Sequence, residues 1–360
     1  MLKKIRQTTK DVASSSLEKV KKPFRKKAPE VPSRITTENL SEHREAVIAG
    51  GRKFKYPIQY ARHRLVFNTI LIVLAVLIVV VATVWFSLYR LQTSNDLMYR
   101  VTRAVPLPVA SVDGQSVRYS DYLMRYRSSL HYKEEKEQID LNSDSDKSQL
   151  GYIKRQELDN AEADAYAAKL AKQLKITVSN AELNDFLKAQ RQSPSGEVSE
   201  NTYNAVILDY YGWTPDEYAR VMKEKLIHQK VAYAVDKDAT AAVKTAKSML
   251  KSGTSDLNSV ATALNQVKAG VAEFGSSGAV PKTNQDGGLA TTASKMSIGE
   301  ISGPVKVTTG DGYYFIKLTG LTDSSVTYDF VHIKLTDFDA QLAKIKASGK
   351  IREYIKVEDN

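Results

Sequence analysis

The 360-residue sequence has no cysteine, which excludes structural disulfides and a lipid anchor on a cysteine thiol. Whatever compartment the chain occupies, packing alone must hold it together. Histidine is scarce, five in all: His43 and His63 precede a long apolar run, His131 falls at a helix end, His228 in an amphipathic helix and His332 in a strand. No H-x-x-x-H spacing or carboxylate cluster accompanies them, so no metal site is read. Gly287-Gly288 has neither a Walker nor a dinucleotide context, and no Ser/His/Asp arrangement is visible. No cofactor is expected.

The most informative absence is of charge. Leu65 to Tyr89 (LVFNTILIVLAVLIVVVATVWFSLY) contains no charged residue. As a helix rising ~1.5 Å per residue it reaches ~37 Å, enough to cross a hydrocarbon core of ~30 Å with some tilt, and Trp85 and Tyr89 stand where interfacial aromatics belong. A soluble core helix of this length would carry a polar face, whereas here only Asn68, Thr69, Thr83 and Ser87 are polar. A cleaved signal is the competing reading, but the preceding arm is too long, the run exceeds a signal core, and no small-x-small site follows it.

Charge orients the span. Residues 1–64 hold 17 Lys+Arg against 6 Asp+Glu, and the remainder holds 35 of each. Arg52, Lys53, Lys55, Arg62 and Arg64 crowd the start of the run, which places the N-terminus in the cytoplasm and the C-terminal part outside. The expected location is the plasma membrane, single-pass, with extracytoplasmic domains. The arm, with Lys21, Lys22, Arg25, Lys26 and Lys27 clustered, reads as largely disordered and held to an anionic leaflet. It has few aromatics and no helix-turn-helix pattern, so no nucleic-acid partner is expected.

Beyond the span, residues 90–107 read as a stalk closed by Pro106 and Pro108. Val109–Val117 (VASVDGQSV) is a hairpin signal with an Asp-Gly turn, and a helix follows from Asp121 to about Tyr132. Residues 133–149 are polar and read as a loop. A helix with an alanine-rich face runs from Gly151 to about Leu174. Ser179-Asn180-Ala181-Glu182 is a capping-box pattern. After a break at residues 193–196, Glu200–Tyr211 is a helix stopped by Gly212. Thr214-Pro215-Asp216-Glu217 then opens another, running to about Ala234.

These segments (VASVDGQSVRYSDYLMRY, ELDNAEADAYAAKLAKQLKITVSNAELNDFL and ENTYNAVILDYYGWTPDEYARVMKEKLIHQKV) resemble the N-terminal chaperone domain of SurA-type and PrsA-type foldases over about 125 residues. The resemblance implies a helical cradle for unfolded or nascent exported polypeptides. In that family a parvulin-type prolyl isomerase domain usually follows, and residues 239–320 resemble one. Ala241–Leu250 and Leu257–Leu264 stand as its first helices, and Phe274-Gly275 with Val280-Pro281 as the loop into a third. Ile298–Val305 (IGEISGPV) stands as its turn before a strand, and Gly312–Leu318 as its closing strand. The catalytic cradle departs from the family: Tyr314 takes the closing-strand histidine position, Ala269–Glu273 replaces the acidic glycine motif, and the proline-pocket positions fall near Ala279 and Thr283.

The family's opening strand is absent before Ala241, but Tyr328–Leu335 (YDFVHIKL) alternates as a strand. We expect it to fill the central position from the C-terminal side, a circularly permuted sheet, with His332 at the catalytic histidine's place; an ordinary, locally hydrogen-bonded strand histidine is the competing reading. By resemblance the catalytic candidates are His332 and Tyr314, and the substrate-contact candidates Phe274 and Val280.

The expected architecture is a single-pass membrane protein with an exported, mainly α-helical chaperone-like domain (108–238) and an α+β parvulin-like domain (239–335). Segment 336–360, a short helix, a Gly349 stop and a strand-like Ile351–Val357, is expected to pack back onto the chaperone domain. The expected function is a membrane-tethered chaperone or foldase. An active peptidyl-prolyl isomerase and a non-enzymatic envelope scaffold are the alternatives.

Overall fold

The computed structural model describes residues 36–55, 57–139, 147–193 and 196–357; the basic cluster at 21–27 and most of the polar stretch read as a loop lie outside them. The chain divides into two units at Val79/Val80. The first holds helix α1, Thr37–Lys55, and most of α2, Pro57–Trp85. An arm disordered up to residue 64 is therefore corrected: Glu, Leu, Arg and Ala supply good helix formers through Glu38–Ile48. Among the described residues one helix, His63–Arg90, is long and apolar enough to cross a membrane.

The second unit starts with the last turns of that helix, which end in a π-helical turn at Phe86–Arg90. Leu88 is fully buried there. The Tyr89 hydroxyl donates to the Pro108 carbonyl at 2.6 Å, the Tyr119 hydroxyl donates to the Leu88 carbonyl at 2.6 Å, and the two rings meet edge to face.

The expected stalk is a packed element instead. Helix α3, Asp96–Ala104, is capped by the Asn95 side chain accepting from Met98 N–H, and it buries Met98, Tyr99 and Thr102. The Tyr99 hydroxyl donates to Glu217 at 2.5 Å, and the Arg127 guanidinium lies 4.8 Å from the Tyr99 ring centre. A spacer has no reason to bury a tyrosine; here burial and the Glu217 carboxylate push the Tyr99 phenol well above its ordinary pKa.

Strands β1 (Pro108–Val112) and β2 (Gln115–Arg118) form the hairpin, turning on Asp113 and Gly114, both at positive φ as a two-residue primed turn requires. Helices α4 (Tyr119–Glu135), α5 (Lys147–Leu174), α6 (Asn180–Gln190), α7 (Glu200–Tyr211) and α8 (Pro215–Val235) follow, with a two-residue-per-strand hairpin, β3 (Gln192–Ser193) and β4 (Gly196–Glu197), between α6 and α7. Their core is tyrosine-rich: Tyr119, Tyr122 and Tyr126 pack with Leu123 and Leu158. Alanines 161, 167 and 171 bury the inner face of α5.

The two capping patterns diverge. At Thr214 both reciprocal bonds with Glu217 form. At Ser179 only the serine bond to Glu182 N–H is made, because the Glu182 carboxylate accepts from Lys230 Nζ at 2.7 Å instead.

Helices α9 (Lys237–Lys251) and α10 (Leu257–Val267) lead into β5 (Ala272–Pro281), α11 (Leu289–Ala293), β6 (Val305–Lys306), β7 (Gly312–Leu321) and β8 (Ser325–Lys334). The sheet order is β5-β8-β7-β6, all neighbours antiparallel. The last strand in sequence thus lies inside the sheet. Phe315, Val331 and Ile333 pack beneath α9 and α10; Ile316, Leu318, Val326 and Tyr328 pack on α11.

The loop expected at Phe274–Pro281 is an edge strand. Its Ser/Gly-rich sequence has little strand propensity, and pairing with β8 imposes the conformation, with a register break between Ser276 and Ala279. Past α12 (Asp337–Ala347), strand β9 (Ile351–Glu353) returns to pair with β1, giving the order β2-β1-β9.

Candidate functional site

Two surfaces have the chemistry of a site. The first is a cleft of about 900 Å³ in the helical module, with walls from α4, α5 and the α7–α8 turn. Trp213 stands at its side, held by its indole N–H donating to the Met124 carbonyl at 3.3 Å and stacked on Tyr211, the ring centres 5.1 Å apart. Gly212, at φ 64°, is the left-handed stop that lets α7 end between these two rings. Tyr152 is 56 % exposed, Tyr211 40 % and Tyr132 37 %. Along α7, Val206, Leu208 and Tyr210 are exposed as well. Amide and hydroxyl groups complete the lining: Ser129 donates to Glu157 at 2.6 Å, and Asn160 donates to the other Glu157 oxygen at 3.2 Å. Large apolar rings above satisfied polar groups suit an extended chain of varied sequence, which offers both side chains and peptide groups.

The second surface is one face of the β5-β8-β7-β6 sheet. Tyr314 and His332 are cross-strand partners, and their rings stack 4.3 Å apart at an interplanar angle of 6°. Asp311 completes the group. Its carboxylate accepts from the Tyr314 hydroxyl at 2.9 Å, and its backbone carbonyl lies 3.1 Å from His332 Nε2. A carbonyl can only accept, so Nε2 carries the proton in this arrangement. Burial and the Asp311 carboxylate hold the Tyr314 phenol above its ordinary pKa, making it a hydrogen-bond donor and not a base at neutral pH.

The aromatic row continues through Phe330, 5.6 Å from Tyr314, to Tyr328, whose hydroxyl donates to Asp286 at 2.6 Å. Gly275 makes room for it: a Cβ there would meet Phe330 Cζ at 2.5 Å. His332 also borders a cleft of about 710 Å³ whose other wall includes Asp164 and His228.

Of the four residues singled out from the sequence, the structure brings His332 and Tyr314 together. Phe274 pairs with Val331 and therefore shares the opposite face of the sheet, since side chains alternate along a strand. Val280 pairs with Val326 on the same face as His332, but six strand positions away, ~20 Å at ~3.3 Å per residue. Sequence reasoning read Asp311 as a hairpin turn and passed over it. The signal present was a carboxylate three positions ahead of an aromatic at the start of a strand. The cleft tyrosines gave no joint signal, being spread over four segments.

Residues 59–232 match the model of the SurA-like N-terminal domain, and residues 226–320 match that of the PPIC-type PPIase domain. The chain has the domain architecture of a SurA/PrsA-type foldase. The first match contains the whole aromatic cleft of the foldase. The second includes Asp311 and Tyr314 but stops before β8, so His332 enters the rotamase sheet on a strand outside the matched segment. No match was found among curated proteins or among solved structures.

Proposed function

We propose that this chain is a membrane-tethered, extracytoplasmic chaperone that holds unfolded exported polypeptides in the Tyr132–Tyr152–Tyr211–Trp213 cleft. The observation that carries the reading is the exposure of these rings within the SurA-like segment. Solvent-exposed aromatics at this density cost solubility unless they have a ligand. The uncharged run and the one-sided positive charge support a single span with the N-terminus in the cytoplasm, and the basic arm then lies against anionic lipid at about 1 kcal/mol per Lys or Arg near the surface.

The test uses the full chain in lipid nanodiscs and light scattering by an aggregating unfolded client. Tyr152→Ala with Tyr211→Ala should weaken protection about tenfold, the loss of one well-placed aromatic contact. Thermal stability should hardly change, because both side chains are substantially exposed. Full protection by the double variant would sink the cleft as the client site. A C-terminal reporter active only in the cytosol would remove the topology.

A second reading, prolyl isomerase activity, is favoured by the Asp311–Tyr314–His332 group in a rotamase-type sheet. The amide barrier is ~18–20 kcal/mol. A protonated imidazole nitrogen and a phenol hydroxyl beside an aromatic row could favour the twisted, less conjugated amide. On this reading His332→Ala lowers the rate of a protease-coupled X-Pro assay by about 10²-fold. An unchanged rate removes His332 from any catalytic role.

A further inference from the structure

Helix α3, which replaced the expected stalk, is apolar on both sides. Met98, Tyr99 and Thr102 face the core and are buried. At ~100° per residue, Leu97, Val101 and Ala104 fall at i, i+4 and i+7 on the opposite side. Leu97 is 63 % exposed there, Val105 just beyond the helix 50 %, and Leu91 before it 62 %. Arg100 and Arg103 border this stripe. A surface helix would ordinarily place polar residues on this side.

We infer that the outer stripe of α3 is a lipid-contact surface lying in the headgroup region of the bilayer. The inference rests on the reading that Leu65–Tyr89 spans the membrane. Chain length confines α3 to that region. Only Leu91–Asn95 separate the first charge after the span, Arg90, from the helix, at most ~18 Å of chain if fully extended, and the observed path is tighter. Thr93 N–H donates to the Ser87 carbonyl at 3.0 Å, folding the connection back onto the end of the apolar helix. The headgroup layer is itself roughly 5–8 Å deep on each side.

The stripe's chemistry fits that depth. Leucine, valine and alanine meet the acyl boundary while guanidinium groups meet phosphates, the pattern of a helix lying in the interface. Arg100 is already aimed along the helix by its 2.7 Å pair with Asp96, so its charge sits beside the stripe.

The natural absence of cysteine makes the test direct. Single thiols are introduced as Leu97→Cys, Val105→Cys, Val76→Cys within the apolar run, and Asn258→Cys on exposed α10. Each carries an environment-sensitive fluorophore in the full chain, reconstituted into phosphatidylcholine vesicles containing phosphatidylglycerol. Spin-labelled lipid is the quencher. The expected result is strong quenching at 97 and 105 by a headgroup-level quencher, strong quenching at 76 by an acyl-chain quencher, and none at 258. Labels at 97 and 105 that behave like 258, with 76 still quenched, overturn the inference and leave the span intact. An unquenched label at 76 defeats the spanning reading itself, and the inference with it. Protection of 97 only after an unfolded polypeptide is added would hand the stripe to clients and likewise overturn the assignment to lipid.

Discussion

Replacing Asp236 with alanine is expected to destabilise the Val80–Asn360 unit by about 3–5 kcal/mol, measured as a loss of unfolding free energy in urea. Asp236 is 1 % exposed and stands where α8 meets α9. One carboxylate oxygen accepts from Ala239 N–H at 2.7 Å, capping α9. The other accepts from Thr336 N–H at 2.6 Å and Asp337 N–H at 3.1 Å, in the turn after β8. Asp337 answers by accepting from Lys237 N–H at 3.0 Å. Alanine strands three donors at once, and a cap alone is worth about 1 kcal/mol. Asp236→Asn retains oxygen acceptance on one side only and should fall in between. A loss below about 1 kcal/mol for Asp236→Ala would show that water replaces the carboxylate at no great cost.

Glu162 predicts a pH dependence. It is 2 % exposed on α5, and its pKa is pushed up to about 7 from an ordinary 4.5, by burial first and then by the Glu353 carboxylate, against the opposing pull of Arg155. Arg155 Nη2 is 3.9 Å from Glu162 and is engaged with Asp159 at 2.9 Å. Arg155 also holds Glu353 of β9 at 2.9 Å, and Lys346 of α12 reaches Asp159 at 3.2 Å.

A raised folded-state pKa means that the fold prefers the protonated acid. Below about pH 4.5 both states are protonated and Glu162 contributes no slope. Between about 4.5 and about 7 the folded state keeps a proton that the unfolded state has lost. Its contribution to stability then falls by ~1.4 kcal/mol per pH unit, reaching a loss of about 3 kcal/mol above that window. Glu162→Gln should therefore be nearly neutral at acidic pH and raise the melting temperature at pH 8 by about 6–12 °C. A lower melting temperature for the variant at pH 8 would mean that the ionised carboxylate is compensated by Arg155.

What could be read from the sequence follows from how local each signal is. Gly212, the Thr214–Glu217 box and the Asp113-Gly114 turn are set by neighbours a few residues apart, and each stands where its pattern places it. Glu182 shows the limit: the same pattern as at Thr214 gives half a box, because Lys230 lies within reach on another helix. Helix α3 was hidden by brevity and by apolar residues on both sides, which blur the helical period, although Asn95 gave an N-cap signal. Strand β5 was hidden because its FGSSG stretch has no strand preference of its own and takes its conformation from β8. At the candidate site, alternation places Tyr314 and His332 each on one side of its own strand. That they stack depends on cross-strand register, and that Phe274 faces away depends on the pairing of a strand that composition concealed.

The pairing of β9 with β1 has a consequence in time. The hairpin that opens the helical module is made early in synthesis, while the strand that completes its sheet follows the entire rotamase segment. Asp113 N–H waits for the Lys350 carbonyl at 2.9 Å, and Tyr354 N–H for that of Val109 at 2.9 Å. A copy still being threaded therefore has an open sheet edge where the finished protein has a closed one, and it matures as a holder of other chains only after the polypeptide through Tyr354 has been delivered.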